Sequence, residues 1–217
     1  MAFSQDFFET RREKMVRTQL AERGIRDARV LAAMTSVPRH EFISESARQD
    51  AYEDHPLPIG EGQTISQPYI VATMLEHLSV RSTDRVLEVG TGSGYVTALL
   101  SLLCSEVYSV ERHAVLAEAA LAALQCLGYR NVRTKIGDGG HGWAEYAPFD
   151  AVLVSAATAE MPRELFTQLR DGGRLMAPIG PASGQQLQLI RKVDGNAEVQ
   201  VLEGCRFVPL VEGGQQA

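Results

Sequence analysis

The sequence predicts an α/β fold: a doubly wound, mostly parallel sheet with an antiparallel C-terminal strand, preceded by helices. Three observations predict it. Val86-Leu87-Glu88-Val89 runs into Gly90-Thr91-Gly92-Ser93-Gly94-Tyr95 and then into an apolar stretch over residues 96–103. That is a strand, a glycine turn and a helix in succession, the first half of a nucleotide-binding unit. Short apolar runs then alternate with helical patterns, as in successive βα units of a parallel sheet. One of those runs, Phe149-Asp150-Ala151-Val152-Leu153-Val154, shows little in-and-out alternation, as a strand buried on both faces does.

Each element follows in order. Residues 6–22 place Phe7, Phe8, Met15 and Leu20 in a helical rhythm that Gly24 closes. Asp27 can cap a second helix carrying Val30, Leu31 and Met34, which stops before Pro38. Residues 51–68 hold three Pro, two Gly and many polar groups and read as a long loop, a type that is commonly functional. Pro68 suits the first turn of the next helix, where Ile70, Val71, Met74, Leu75 and Leu78 form one apolar stripe. After the glycine turn come a strand over 106–111, an Ala/Leu-rich helix over 114–127 closed by Gly128, and a strand over 131–136. Beyond the strand at 149–157, Pro162 opens a helix to Arg170, and a strand follows the turn at Asp171-Gly172-Gly173. Residues 186–191 and 207–210 read as late strands joined through Asp194-Gly195-Asn196, an Asp-Gly hairpin signal. The expected organisation is one domain over 1–217: a helical flank (1–50), the functional loop (51–68) and the sheet core (69–217).

Composition bounds the function. The chain has 217 residues, 45% of them hydrophobic, and a net charge of −6. No Lys/Arg-rich run is present, so a nucleic-acid duplex is not the expected partner. No apolar run reaches the ~18 residues of a membrane span. Residues 1–14 lack the apolar core of a secretion signal. Three cysteines, Cys104, Cys126 and Cys205, have no metal-like spacing. Free thiols in a reducing compartment, with Cys104 and Cys126 in the core, are expected, and the protein is read as cytoplasmic.

The chemistry gathers at the C-terminal ends of the first three parallel strands. Glycines at 90, 92 and 94 let the backbone take positive φ and let a ligand approach the helix N-terminus. Glu111 ends the second of these strands about 20 residues past the turn, where a carboxylate can accept both hydroxyls of a ribose. Asp138 ends the third, where an adenine amino group would lie; an ordinary Asp-Gly turn explains it equally well. Ser66 and Thr64 precede Pro68, and on spacing alone they read as caps of the helix there. Asp54-His55 pairs an acid with a base, but no nucleophile elbow accompanies it. His141 reads as a surface residue, and Trp143 as core or cofactor wall. Three classes remain open on the residues alone. They are a group-transfer enzyme using a nucleoside cofactor, a nicotinamide oxidoreductase, and a binding module that has lost turnover. The G-x-G-x-G spacing, which is not G-x-G-x-x-G, disfavours the second.

The pattern E-x-G-x-G-x-G at Glu88 resembles motif I of the S-adenosylmethionine (AdoMet)-dependent methyltransferases. Leu57-Pro58-Ile59-Gly60 with Gln63-Thr64-Ile65-Ser66-Gln67-Pro68 is more specific, as is Arg206-Phe207-Val208-Pro209-Leu210. Together with Gly137-Asp138-Gly139, Gly142-Trp143 and Gly172-Gly173-Arg174 in the same order, they resemble the protein-L-isoaspartate O-methyltransferases from about Met15 to Leu210. The resemblance implies a Rossmann-like methyltransferase fold and AdoMet as cofactor. It implies methyl transfer to the free α-carboxyl of isoaspartyl residues, and hence isoaspartyl proteins and peptides as partners; the chain is expected to act as a monomer. It makes Ser66 the active-site residue. It assigns cofactor contacts to Ile65, Gln67, Pro68, Glu88, Gly90, Thr91, Gly92, Ser93, Glu111, Arg112, Asp138 and Gly139. A methyltransferase of the same fold with another peptide or small-molecule acceptor is the alternative. Cys205 stands where the family carries a hydrophobic or small residue, and the tail after Leu210 is variable in it.

Overall fold

The computed structural model describes residues 5–211 and 213 of the chain. It begins with α1 (Gln5–Lys14), continued by a wider π-type turn (Met15–Leu20) and a 3₁₀ turn (Ala21–Arg23) that ends at Gly24, φ 111°. Asp27 caps α2 (Ala28–Ser36) by accepting the Arg29 N–H at 2.8 Å. Two 3₁₀ turns, Arg39–Phe42 and Glu45–Asp50, lead into a small antiparallel hairpin, β1 (Leu57–Gly60) and β2 (Gln63–Ile65). Residues 51–68 are therefore not simply a loop. Leu57 pairs with Ile65 at the base of the hairpin, and both are buried.

The sheet core follows. Helix α3 (Pro68–Leu78) precedes β3 (Arg85–Val89), α4 (Tyr95–Leu103), β4 (Glu106–Glu111), α5 (Ala114–Cys126), β5 (Val132–Ile136) and β6 (Phe149–Val154). Then come α6 (Arg163–Thr167), β7 (Leu169–Ile179), β8 (Gln185–Val193) and β9 (Asn196–Cys205). The seven-stranded sheet runs β5-β4-β3-β6-β7-β8-β9, parallel through β7 and antiparallel thereafter. The chain winds outward from β3 to β5, then returns to the other side of β3 with β6. The crevice at that reversal is where ligands bind in sheets of this kind.

Burial explains why β3 is central. Val86, Leu87 and Val89 are wholly inaccessible, as are Val152 and Val154 on β6. Each such side chain contributes roughly 1.5–3 kcal/mol on burial. One face of the sheet packs on α3, α4 and the N-terminal helices, and the other on Phe149, Leu165, Leu169 and the aromatic group around Tyr108. Buried Arg174 joins the layers. Its Nε donates to the Leu78 carbonyl at 2.8 Å and Nη2 meets Asp84 at 2.5 Å, so the C-terminal end of α3 is satisfied by a side chain from β7.

Two expectations are corrected here. The second arm of the C-terminal hairpin is β9, not residues 207–210; the latter form an extended strip in which Pro209 bridges Ala157. Pro209 has no N–H to give a ladder, which suits a strip better than a strand. Cys126 is exposed rather than in the core, because it falls on the outward side at the end of α5; Cys104 is buried as expected. Of the two readings of Trp143, core and cofactor wall, the first holds: it packs against the core cluster on the far face of the sheet. It packs edge-on against Tyr108 and Tyr146, with ring centroids 5.9 and 5.2 Å away. His141 is at the surface beside Glu164, as expected.

Candidate active site

The glycine turn after β3 forms the floor. Gly90, Gly92 and Gly94 have φ of 90°, 53° and 87°, a region that side chains with a Cβ rarely adopt. Gly94 sits at the N-cap of α4, so the first free N–H groups of that helix face the cleft end of the turn. Gly90 lies against Ser155 at the end of β6, where an added Cβ would stand 3.5 Å from the Ser155 Cβ.

Glu111, at the end of β4, is 94% buried and borders the cleft. Its Oε2 accepts the Gly92 N–H at 2.8 Å and its Oε1 accepts the His113 N–H at 2.9 Å. Two lone-pair directions remain for a diol. Gly139 also borders the cleft, packed so tightly that an added Cβ would fall 2.4 Å from the Val89 Cγ1. Asp138 beside it accepts the Gly140 N–H through Oδ1 and the Gly213 N–H through Oδ2, each at 2.8 Å. Arg112 borders the cleft too, while its guanidinium donates to the carbonyls of Val211 at 2.8 Å and Gly213 at 3.0 Å. The tail beyond Gly213, whose role the sequence left open, lies outside the described residues.

Glu88 stands apart from the expected set. It is wholly buried beneath the turn and does not border the cleft. Thr97 and Ser109 hydroxyls both donate to its Oε2 at 2.6 Å, and Thr91 in turn meets Ser109 at 2.6 Å. Burial raises its pKa to about 7, against the lowering effect of those two hydroxyls. The acid thus braces the glycine turn from below, with Thr91 turned inward to it.

Across the cleft stands the hairpin. Thr64, Ile65 and Ser66 line the same space as the glycine turn, together with Ser93 and Val208-Pro209-Leu210. Its empty volume is about 790 Å³. A second groove opens beside it, lined by Pro56, Gln67, Ile70 and residues 204–207. Thr64, Ser66, Ser155 and Val208 border both. Gln67 therefore faces the second groove, and Pro68 is buried at the start of α3 rather than on the cofactor cleft. No side chain caps α3. Neither Ser66 nor Thr64 caps the helix, and both residues border the two spaces.

Other residues escaped the sequence reading. Ser155 follows the fourth parallel strand beside the topological switch, a position that could have marked it. Gln185 holds the Phe207 main chain at both ends, accepting its N–H at 2.7 Å and donating to its carbonyl at 3.2 Å. Nothing local signals that contact across 22 residues. Asp54 is no partner of a hydrolytic His55. It accepts from Gln67 Nε2 at 2.9 Å and pairs with Arg23. Among the described residues no cluster of His, Cys, Asp or Glu could hold a metal ion.

Known proteins are similar to this chain in sequence and fold. The family model for "Protein-L-isoaspartate(D-aspartate) O-methyltransferase (PCMT)" matches residues 10–215. The chain is 51% identical over 213 residues to a protein-L-isoaspartate O-methyltransferase of Koribacter versatilis, covering 97% of this chain and 96% of that one. It is 52% identical over 200 residues to the same-named protein of Methanoculleus marisnigri, covering 92% and 91%. A solved protein-L-isoaspartate O-methyltransferase superposes with a TM-score of 0.84 at 33% identity; it covers 94% of this chain, which spans 66% of that longer one. A Plasmodium falciparum structure assigned the same activity, in complex with S-adenosyl-L-homocysteine (AdoHcy), superposes with a TM-score of 0.83 at 27% identity, covering 93% and 99%.

Proposed function

The chain belongs to the protein-L-isoaspartate(D-aspartate) O-methyltransferase family, and from that membership we propose that Ser66 is the residue at which its two grooves exchange a methyl group. The protein is an AdoMet-dependent protein carboxyl O-methyltransferase. It acts on the free α-carboxyl of isoaspartyl residues, and the ester formed then closes to a succinimide that opens partly to normal aspartate. One observation supports the placement of Ser66 above all. The residue borders both the glycine-turn cleft and the adjoining groove, and α3 starts without using its hydroxyl.

The residues present fit the cofactor. Glu111 keeps two free acceptor directions for ribose hydroxyls, the turn at Gly90–Gly94 leaves room for close approach, and Gly139 and Leu210 add apolar lining to the same cleft. Asp138, Arg112 and Ser93 border or adjoin the same end. The bound sulfonium supplies an electrophilic methyl group. Everything else falls to the chain. The attacking carboxylate is ionised at neutral pH, since its ordinary pKa is about 3.5, so no strong general base is required. Placing it in line supplies the rate, and oriented groups can contribute up to ~7–11 kcal/mol. Ser66 donates a hydrogen bond to that carboxylate and sets its angle. The apolar lining of Ile65, Val208 and Leu210 excludes water from the pair.

Both grooves are built by one chain, which supports action as a monomer. The net charge of −6 supports a protein substrate over a nucleic acid, and we place the enzyme in the cytoplasm. No described helix is long and apolar enough to cross a membrane. The reading is tested with labelled AdoMet and two peptides that differ only in isoaspartate against aspartate. Base-labile label on the isoaspartyl peptide alone is expected. Equal label on both, or none with AdoHcy still bound, would reassign the acceptor.

A further inference from the structure

Arg39 is among the largest wholly buried side chains of the protein. It lies in the 3₁₀ turn after α2, at the first residue past Pro38. Its Nε donates to the Ala51 carbonyl at 2.7 Å and its Nη2 to the Ser66 carbonyl at 2.9 Å. The guanidinium carbon stands 4.9 Å from the centre of the Tyr95 ring. None of the ion pairs among the described residues includes it. A buried guanidinium that makes no direct ion pair is an unfavourable object for a fold; burial lowers its pKa to about 10, offset only in part by Tyr95, Tyr52 and the charge of Asp54. A core position could be filled by an apolar side chain of that length at lower cost.

The two acceptors indicate what the charge does. Ala51 opens the segment that carries the hairpin, and Ser66 closes it. One rigid fork therefore spans both ends of the active-site segment from behind. Holding the Ser66 carbonyl fixes the Ser66–Gln67 peptide plane and hence the direction of the Ser66 side chain. The charge also strengthens the hydrogen bond it makes there. The rest of the segment has separate ties, Gln67 to Asp54 at 2.9 Å and Gln19 Nε2 to the Tyr52 carbonyl at 3.0 Å. Only Arg39 reaches Ser66 itself among the hydrogen bonds of the described residues.

We propose that Arg39 is a positioning residue for methyl transfer, acting through the main chain of Ser66 to aim its hydroxyl at the substrate carboxylate. The proposal rests on the reading of Ser66 given above. Lysine at this position keeps a charge but can reach one carbonyl, not two. Glutamine keeps one donor group and no charge.

The test is a double-mutant cycle of Arg39→Lys with Ser66→Ala, with Arg39→Gln as the second variant. It reads kcat and KM for an isoaspartyl peptide, the AdoHcy dissociation constant, and amide exchange over residues 51–67. Arg39→Lys is expected to lower kcat by about 10- to 100-fold, the cost of misplacing a reacting group by about 1 Å. Arg39→Gln is expected to lower it further. AdoHcy affinity should change less than about threefold. In the Ser66→Ala background the same change at Arg39 should lower kcat by less than about twofold, because its route is already gone. Multiplied losses in the double variant would overturn the proposal, as would unchanged kcat in a folded Arg39 variant. Failure of both Arg39 variants to fold would also overturn it, by making the residue part of the core. Unchanged kcat in Ser66→Ala alone would instead sink the reading of Ser66, so the two failures are told apart.

Discussion

Glu111 holds the glycine turn: its Oε2 accepts the Gly92 N–H at 2.8 Å while its Oε1 reaches the His113 N–H at 2.9 Å. One carboxylate therefore joins the end of β4 to the turn after β3, and the residue borders the cleft with acceptor capacity to spare. Glu111→Gln keeps one acceptor and loses the charge. AdoHcy binding should weaken by roughly 1.5–3 kcal/mol, the worth of hydrogen bonds to a charged group. Calorimetric titration measures it directly. An unchanged dissociation constant would remove Glu111 from the ribose site and leave it a brace of the turn.

How legible each feature was depended on how local its cause is. The turn at Gly90–Gly94 and the acid ending β4 are set by a few neighbouring residues, and both stand where the sequence put them. The hairpin at β1 and β2 was hidden because Pro58, Gly60 and Gly62 read as breakers and each arm is too short to show alternation. Residues 207–210 carry strand-forming side chains, but the ladder beside β8 was already taken by β9, and Pro209 cannot extend one. Glu88 looked like a cofactor ligand from its place before the first glycine. It is buried because β3 has parallel neighbours on both sides, which no local pattern reports. Arg39 meeting Ser66 joins residues far apart in the chain, and only the folded path of the N-terminal segment brings them together.

Glu88 predicts a pH dependence of stability. Burial, with a smaller push from the Glu111 charge, raises its pKa from 4.5 to about 7. The folded chain then binds this proton more tightly than the unfolded chain. Below pH 4.5 both states are protonated and the group has no effect. Between there and about pH 7 the unfolded chain ionises first, so stability falls as pH rises; above that the loss is constant. Its size is at most about 3.5 kcal/mol, at about 1.36 kcal/mol for each pKa unit. Glu88→Gln leaves an amide oxygen to accept from Thr97 and Ser109 and removes the titration. Urea unfolding should show the variant gaining on the natural protein between pH 5 and pH 8. The same difference at both pH values would mean that Glu88 does not titrate in this range.

Gly139 and Val89 make the last prediction, because one side chain fills the space that a methyl on the other residue would need. An alanine Cβ at 139 would lie 2.4 Å from the Val89 Cγ1, inside the distance at which atoms can rest, and Val89 is wholly buried at the end of β3. Something must shift, and both residues border the cofactor cleft. Gly139→Ala alone should destabilise by about 1–3 kcal/mol, the usual cost of overpacking. Val89→Ala alone should cost by the opposite route, losing about 0.8 kcal/mol for each buried methyl or methylene equivalent and leaving a void. Together they should cost less than their sum, since the new methyl enters the space the valine left. A coupling of about 0.5–3 kcal/mol in the direction of relief is expected from residues in contact. Thermal and urea unfolding of the four proteins measures it. Strictly additive losses would mean that the glycine is required by the path of its own backbone and not by the valine above it.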